Sequence, residues 1–318
     1  MCYSAQIQAD FRKYQREQSA VLDIAAFARL YWQRDQGARL RIPKAVDAAF
    51  MQPRNDGERR IKALIDAFDA RETQRLEQDL FKQKKRLADA QRALALKHTK
   101  AAAENERIAG DKIEWTLRKL ADLRRSDLLE RDARIFPGWY APVLVGEGGK
   151  RVLRPMRYQC RPAGKPASYD TRYPGTYNAR RDNLEGFWRG QFGHSHALMI
   201  VHAFYENVAR HAAEHRALEP GEQEQNFVLE FRPRPAHDML VACLWSHWQH
   251  GDEALDSFAA ITDTPPAEVA AAGHDRCIVP IKPDHIDAWL HPDATNLAAL
   301  QLILDDRDRP YYEHRLAA

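Results

Sequence analysis

The stretch FPGWYAPVLVGEGGKRVLRPMRY (residues 136–158) decides the fold that the sequence predicts. Its two apolar segments, rich in Val and Leu, flank a Gly-Gly pair, and this pattern is typical of two strands joined by a tight turn. Many short strands with few helices after residue 135 predict an α+β or barrel-like domain. Further strands are predicted at residues 198–205, 226–231, 239–245 and 257–262, and a short helix followed by a strand at residues 265–280.

Residues 58–134 have a different composition. They contain no proline, a single glycine (Gly110) and many Ala, Leu, Glu, Lys, Arg and Gln residues, which favour helix. Leu80, Leu87 and Leu94 recur at intervals of seven, so we expect long amphipathic helices. The apolar stripe fades at residues 97–110, which suits the turn of an antiparallel hairpin, although one bent helix also fits the pattern.

Two further elements are predicted before residue 58. Residues 17–34 (EQSAVLDIAAFARLYWQR) predict one helix, and residues 41–53 (RIPKAVDAAFMQP) predict a connector bounded by prolines.

Charge is distributed unevenly. The chain has 48 Lys and Arg against 45 Asp and Glu, a net charge of +3. Residues 58–134 hold 20 of the basic and 15 of the acidic residues, a net charge of +5. The rest of the chain has 28 basic and 30 acidic residues, a net charge of −2.

The 44% apolar content excludes a wholly disordered chain. No apolar run approaches the roughly 20 residues that span a bilayer, and no apolar leader is visible, so we expect a cytoplasmic protein without membrane contact.

The four cysteines form no C-x-x-C pair, so the sequence predicts neither a disulfide framework nor a metal site, and we expect no cofactor.

Cys2 differs from the other cysteines because it becomes the N-terminal residue if Met1 is removed. Removal of Met1 would leave an α-amine and a thiol on adjacent carbons, with ordinary pKa values of about 7.7–8.0 and 8.5. Such a pair can capture an aldehyde as a five-membered thiazolidine, or the thiol can act as an acyl-transfer nucleophile. A chance cysteine at a frayed terminus is the alternative.

Three short segments carry further candidate residues. TYNARRDN (176–183) offers Asn178 and two arginines, AFYENV (203–208) sets Glu206 at the end of an apolar strand, and AGHDRC (272–277) contains His274. Partial burial of Glu206 would raise its pKa toward general acid-base use. Each residue also has a structural alternative: a turn cap for Asn178, a pair with an arginine for Glu206, and a hydrogen-bonded loop histidine for His274.

These segments occur in the order Met-Cys, APVLV, PMRY, YNAR, FYE, ITD and GHDR. In that order the sequence resembles the SOS response-associated peptidase (SRAP) family of abasic-site processing proteins. The resemblance covers residues 2 to about 50 and 133 to about 300. It implies a mixed α+β domain with a central barrel-like sheet, residues 1–57 and 133–318, interrupted by a helical hairpin insertion at residues 58–132.

The resemblance also implies roles. Family members trap the ring-opened aldehyde of an abasic site in single-stranded DNA as a thiazolidine. By motif match, Cys2 is the nucleophile, Asn178 holds the opened sugar or the amine, Glu206 moves protons and His274 donates a proton to the sugar oxygen. The matching DNA-binding arginines are Arg180 and Arg276.

The sequence also departs from the family pattern. The family's Cys-Gly-Arg start is Cys2, Tyr3 and Ser4 in this chain, so the arginine is absent. Pro162–Gly164 stands where the family has Pro-Ser-Trp, so the tryptophan is missing. For base stacking in its place the candidates are Trp139 and Tyr158.

Three hypotheses follow. The first is an enzyme-like DNA-repair protein, with lyase-like covalent chemistry, that crosslinks Cys2 to abasic sites in single-stranded DNA and associates with the nucleoid. The second is a cysteine-dependent peptidase that removes its own Met1 through Cys2, with His274 and Glu206. The third is a non-covalent nucleic-acid adaptor that uses the helical insertion. The basic run KQKKR (82–86) could contact DNA or a protein partner, or it could be a solvated face. We expect a monomer.

Overall fold

The computed structural model describes residues 3–251 and 253–317, which form two compact units. The first unit contains the chain up to Leu30, Arg39–Gln52 and the chain from Leu129 onward. The second unit contains Tyr31–Ala38 and Pro53–Leu128. The helical insertion therefore forms a unit that also takes in a short segment from before residue 53.

The strands are β1 (Ser4–Ile7), β2 (Val21–Leu22), β3 (Arg134–Ile135), β4 (Tyr140–Glu147), β5 (Lys150–Tyr158), β6 (Asn178–Arg180), β7 (His196–Ala209), β8 (Asn226–Arg234), β9 (Met239–His250), β10 (Glu253–Asp263), β11 (Cys277–Ile278), β12 (Pro280–Ile281) and β13 (Tyr311–Leu316). The α-helices are α1 (Phe11–Gln18), α2 (Ile24–Asp35), α3 (Lys44–Ala48), α4 (Asp56–Leu96), α5 (Lys100–Arg124), α6 (Tyr169–Arg172), α7 (Arg210–Ala213), α8 (Ala267–Ala271), α9 (Ile286–Leu290) and α10 (Leu297–Asp305). Short 3-10 helices occupy Glu130–Ala133, Arg181–Asn183 and Pro283–His285.

Five strands close into a barrel. The sheet runs β9-β10-β5-β4-β7, and β7 pairs again with β9, which completes the ring. All of these pairs are antiparallel except β10 with β5. The prediction of an α+β fold with a central barrel-like sheet is thereby confirmed, and the closed ring leaves these five strands without a free edge.

The predicted β4–β5 hairpin is the first wall of this barrel. Its register joins Tyr140↔Arg157 through Glu147↔Lys150, around the glycine pair of the turn. Ala141–Val145 of β4 and Ala197–Val201 of β7 are buried at every position, so both faces of these strands are covered. Apolar runs without alternation in the sequence reflect this two-sided burial.

Strand β7 is longer than the barrel needs. Residues 196–201 pair with β9 inside the ring, and Phe204–Ala209 pair with β8. Strand β1 lies on the other side of this extension, with Ser4 opposite Tyr205. The extension therefore carries the end of β7 to the start of the chain.

The second unit contains the predicted hairpin, which is confirmed as two helices, α4 and α5. The turn is only residues 97–99, and Gly110 lies inside α5. Asn55 caps α4 by accepting from the amide of Glu58, and Thr99 caps α5 by accepting from the amide of Ala102. Small side chains fill much of the seam: the buried residues of α5 are Ala102, Ala109, Thr116 and Leu120.

The single helix predicted at residues 17–34 is wrong. Ser19 takes a left-handed conformation with φ of 50° and ends α1, and Val21 pairs with Val152 of β5. The Asp23 carboxylate then accepts from the amide of Ala26 in the first turn of α2. Tertiary strand pairing and this cap outweigh the helix propensity of the segment.

No helix within residues 3–251 and 253–317 has the length and apolar character needed to cross a membrane.

The barrel closure predicts where the stability lies. Leu198 is fully buried and pairs with Leu144 of β4 and Ala242 of β9. Leu198→Ala should lower the free energy of unfolding by about 2–5 kcal/mol in urea titrations, because the cavity left behind cannot collapse. Leu302→Ala is the matched control, since Leu302 in α10 is 66% exposed, and should change it by less than about 0.5 kcal/mol. Equal losses in the two variants would contradict this account.

Candidate active site

Glu206 lies on the extension of β7 and is completely buried. Burial disfavours the charged carboxylate and raises the pKa of Glu206 from 4.5 to about 8. The raised pKa expected from partial burial is therefore present, and a carboxyl group that keeps its proton at neutral pH can act as a general acid.

His274 lies beside this carboxyl group. Its Nε2 is 3.3 Å from Glu206 Oε2, and its Nδ1 is 2.8 Å from the carbonyl oxygen of Arg276. A carbonyl oxygen only accepts, so Nδ1 carries the proton, which leaves Nε2 of the neutral ring as an acceptor. The Arg276 amide, 3.3 Å from the same Nδ1, is the weaker of the two contacts.

The two pKa shifts agree with this arrangement. Burial lowers the pKa of His274 below its ordinary 6.5, while burial raises that of Glu206. Both shifts favour a neutral pair, in which the Glu206 hydroxyl donates to His274 Nε2. Such a pair can pass a proton to a reacting atom and take it back without a net buried charge.

The backbone before His274 explains why the ring sits there. Gly273 has a φ of +90°, in the left-handed region, and a Cβ at this position would lie 2.8 Å from the backbone nitrogen of Ala213. Only glycine satisfies both conditions without strain. The GHDR loop therefore packs tightly on α7 and directs His274 toward β7.

Tyr3 is the first described residue, and its backbone amide donates to the Glu206 carboxyl group. The register of β1 on β7, with Ser4 opposite Tyr205, brings the start of the chain to this point. Cys2, the predicted nucleophile, lies outside the described residues.

Asn178 begins β6, which runs parallel to β10 with Asn178 beside Ala260. The side chain is 7% exposed, and among the described residues neither its amide nitrogen nor its oxygen has a hydrogen-bond partner. The hydroxyl of buried Thr262, on the same face of β10, also lacks one within the described chain. Unpaired buried polar groups are costly, so this face is suited to a polar ligand.

Arg180 shares a face of β6 with Asn178 because the two are two residues apart. Its exposed guanidinium forms two hydrogen bonds with the Asp182 carboxylate, at 3.0 and 2.5 Å, and this pairing raises its pKa. The Asp275 carboxylate acts electrostatically on both Arg180 and Glu206, which links β6 to the Glu206–His274 pair. Arg180 must exchange Asp182 for a phosphate if it is to hold DNA.

Arg276 lies in the same loop as His274. Its backbone carbonyl orients the imidazole ring, and its Nε lies 3.4 Å from the Asp275 carboxylate. The structure thus gives Arg276 a positioning contact in addition to a cationic side chain near the pair.

The two candidates for base stacking, Tyr158 and Trp139, differ in burial. Tyr158 is fully buried, with its ring 5.2 Å from that of Phe258, so the hypothesis that it stacks on a base is wrong. Trp139 is half-buried and belongs to a row of three aromatic rings. The ring centres of Tyr3 and Phe136 are 5.7 Å apart, and those of Phe136 and Trp139 are also 5.7 Å apart. The row starts at Tyr3, next to Glu206.

The three described cysteines are unsuitable as nucleophiles. Cys160, Cys243 and Cys277 are free thiols and all are buried. Burial raises the pKa of Cys160 to about 12 and that of the other two further still. A thiol that stays protonated at neutral pH reacts poorly.

Sequence reasoning missed three contributions to the site: the Tyr3 amide, the Thr262 hydroxyl and the Asp275 carboxylate. ITD and GHDR contain two of these residues, so the motifs marked them without assigning a role. The Tyr3 amide depends on strand pairing, which leaves no local signal in the sequence.

Glu206 predicts an unusual pH dependence of stability. Its pKa in the folded chain, about 8, exceeds the ordinary 4.5, so its stabilising contribution is complete below pH 4.5 and is lost as the pH rises through about 8. Glu206→Gln removes this loss. The variant should therefore gain thermal stability relative to wild type as the pH is raised across this window, as measured by melting temperature.

Glu17→Gln, at an exposed position of α1, is the matched control and should track wild type at every pH. If the melting temperatures of Glu206→Gln and wild type differ by a constant amount from acid to alkaline pH, the buried carboxyl group does not have the raised pKa.

Solved structures with a similar chain course cover 58% of this chain. A protein from Bordetella bronchiseptica is 17% identical with a TM-score of 0.46, over 87% of that chain. A protein from Bacteroides thetaiotaomicron is 12% identical with a TM-score of 0.44 over 77% of its length, and a phage-related protein from Bordetella bronchiseptica is 21% identical with a TM-score of 0.43 over 80%. Similarity at this level says nothing about activity. Comparison with curated proteins finds no match.

The sequence model of the family described as "SOS response associated peptidase (SRAP)" matches residues 92–316, which is more than half of the chain. The match begins near the end of α4 and includes all five strands of the barrel, β6 and the GHDR loop. The chain therefore belongs to the SOS response-associated peptidase family, and this membership associates it with the response to DNA damage.

Proposed function

We propose that this protein captures the ring-opened aldehyde of an abasic site in single-stranded DNA by forming a thiazolidine with Cys2. The observation that carries the proposal is the buried Glu206–His274 pair beside the Tyr3 amide, one residue from Cys2. Aldehyde capture needs proton transfer at the position where the amine and thiol react, and a neutral acid with a neutral acceptor supplies it.

The reaction balances in two steps. The α-amine of Cys2 adds to the aldehyde carbon, and loss of one water gives an imine. The thiol sulfur then adds to the imine carbon, and the thiol proton ends on the nitrogen. The product is a five-membered ring that holds sulfur and nitrogen on the former aldehyde carbon, which blocks β-elimination of the DNA strand.

Glu206 and His274 serve different steps in this scheme. The protonated Glu206 carboxyl group donates to the oxygen that leaves as water. His274 Nε2 accepts a proton during sugar ring opening and returns it to the sugar oxygen. Because both groups are neutral at rest, neither has to lose a stabilising buried ion pair in order to react.

The remaining cysteines support Cys2 as the nucleophile. Cys160, Cys243 and Cys277 are held in the barrel or against it with raised pKa values. Cys2 is the cysteine to which this argument does not apply, and its α-amine is required for the ring in any case.

Asn178, Arg180 and Arg276 are proposed to bind the DNA. The unpartnered amide of Asn178 offers both donors and an acceptor to the hydroxyl groups of the opened sugar. The two guanidinium groups are proposed to hold phosphates on either side of the lesion, and each now lies beside an aspartate that a phosphate can replace.

The row of Tyr3, Phe136 and Trp139 is proposed to stack on a base next to the lesion. Single-stranded DNA is commonly held by aromatic rings of this kind, because every base has a stacking face. The Arg134 guanidinium lies 5.0 Å from the Phe136 ring centre and can hold the backbone alongside.

A crosslinking assay tests the proposal. Wild type incubated with a single-stranded oligonucleotide carrying one abasic site should give a species that survives denaturing electrophoresis, and Cys2→Ala should give none. Cys2→Ser keeps the amine but lacks the thiol, so it should give a stable product only when cyanoborohydride reduces the imine. Cys243→Ala, which removes a buried thiol, should crosslink as wild type does.

Absence of the wild-type product, or equal product from Cys2→Ala, would refute the proposal. The peptidase hypothesis instead predicts cleavage of peptide bonds in the absence of DNA, and mass spectrometry of the purified chain checks a condition of the thiazolidine. A chain that begins at Cys2 is necessary for the thiazolidine, whereas a thiol nucleophile alone can act with Met1 retained.

The rate of crosslinking should also depend on Glu206. Capture needs the neutral α-amine of Cys2 and the acid form of Glu206, so the pH profile of the rate should be bell-shaped, with an alkaline decline set by the Glu206 pKa of about 8. Glu206→Gln should be slower by roughly 10²–10⁴-fold, the usual contribution of a general acid, and should lack this alkaline decline. An unchanged alkaline decline in Glu206→Gln would assign the titration to another group.

A further inference from the structure

The positive charge of the helical hairpin is concentrated at its end. Residues 80–105, named here the hairpin tip, hold seven Lys and Arg and two Asp and Glu, a net charge of +5. The rest of residues 58–134 holds 13 of each and is neutral. The whole excess of the insertion therefore lies in the hairpin tip, which comprises the last turns of α4, the turn at 97–99 and the start of α5.

Outside the tip, ion pairs join many of the cations of the hairpin to acidic side chains. These cations pair with acids one turn away or on the facing helix: Arg59 with Asp56, Lys62 with Asp66, Arg75 with Glu72, Arg107 with Glu104, Arg124 with Glu77 and Arg125 with Asp122. These pairs are typical of a solvated structural helix.

The hairpin tip has less of this compensation: among its seven cations, ion pairs within the described chain join Lys82 to Asp79 and Arg92 to Asp89. Its two acids are engaged, Asp89 by Arg92 and Glu104 by Arg107. Within the described parts of the chain, no acidic side chain pairs with Lys84, Lys85, Lys97 or Lys100. Cations clustered in this way create a positive surface potential that attracts anions.

A groove lies between the two helices at this point, with a volume of about 530 Å³. Lys82, Lys85 and Arg86 line it from α4, and Thr99 and Asn105 line it from the other side. One carboxylate, that of Asp89, also lines the groove, and it is paired with Arg92. Arg86 Nε donates to Asn105 Oδ1 at 3.1 Å, so a neutral amide fixes the guanidinium and leaves its charge intact. The Asn105 amide nitrogen still has donors to offer.

Phe81 adds an aromatic ring to these cations. It is 73% exposed, and it lies one helical turn before Lys85 on the same face of α4. An exposed aromatic ring next to a cationic groove is the combination that binds single-stranded nucleic acid: the cations track phosphates and the ring stacks on a base.

We propose that the hairpin tip is a second binding site for single-stranded DNA, separate from the site of Cys2. The groove of Lys82, Lys85 and Arg86 takes the phosphate backbone, and Phe81 takes a base. The site is non-covalent and independent of sequence, because its groups contact phosphates and a ring face, which all nucleotides share.

The test uses the full chain with Cys2→Ala, so that covalent capture does not contribute. The probe is a labelled oligothymidylate without an abasic site, and binding is followed by fluorescence anisotropy over a series of NaCl concentrations. Substitution of Lys82, Lys85 and Arg86 by Gln should weaken binding about tenfold at low salt and reduce the slope of log affinity against log salt by up to about 2. Phe81→Ala should weaken it roughly fivefold or more, with the slope unchanged.

The matched control replaces Arg60, Lys112 and Lys119 by Gln. These exposed residues lie outside the hairpin tip, and their loss changes the net charge by the same amount. The control should bind as the parent does, and circular dichroism should show equal helicity in all variants. Equal weakening by both triple variants, no weakening by the tip variant, or tighter tip-dependent binding of an acidic peptide than of the oligonucleotide would overturn the proposal. Abasic-site crosslinking by the tip variant with Cys2 intact reports separately on the function proposed above.

Discussion

The burial of Glu206 against His274 is the interaction on which the site depends. A carboxyl group in this position is stable because it is protonated, and it is protonated because strand β7 runs past the barrel into the space closed by β1 and the GHDR loop. The His274 ring accepts from it because the Arg276 carbonyl fixes the proton on Nδ1. Gly273 makes this approach possible through its left-handed conformation. Backbone geometry therefore brings Glu206 and His274 together and shifts their pKa values.

The sequence predicts the elements whose signal is local. The β4–β5 hairpin follows from two apolar segments around a glycine pair, and the helical hairpin follows from composition and spacing. The turn of the helical hairpin is shorter than predicted, because a fading apolar stripe marks the end of close packing and a helix continues through Gly110. The helix predicted at residues 17–34 is interrupted by pairing with β5, a non-local interaction without a local signal.

The candidate site, like the fold, is predicted only in part by local sequence signals. Motifs mark Asn178, Glu206 and His274, but only the folded chain joins Glu206 to His274 and brings the Tyr3 amide to them. Burial also decides which residues are available: Tyr158 is a core residue, while Trp139 continues a row of rings from Tyr3. Outside residues 58–134 the chain is slightly acidic, and the excess positive charge lies in the helical insertion.

The most direct measurement of this account is the titration of Glu206 itself. Carbon-13 labelling of glutamate, with assignment by Glu206→Gln, gives the chemical shift of its side-chain carboxyl carbon as a function of pH. The expected midpoint is near 8, and the expected pKa of His274 lies below its ordinary 6.5, so that both groups are neutral between the two pKa values. A midpoint near the ordinary value of 4.5 would contradict it, because Glu206 would then be a carboxylate at neutral pH and could not act as the acid.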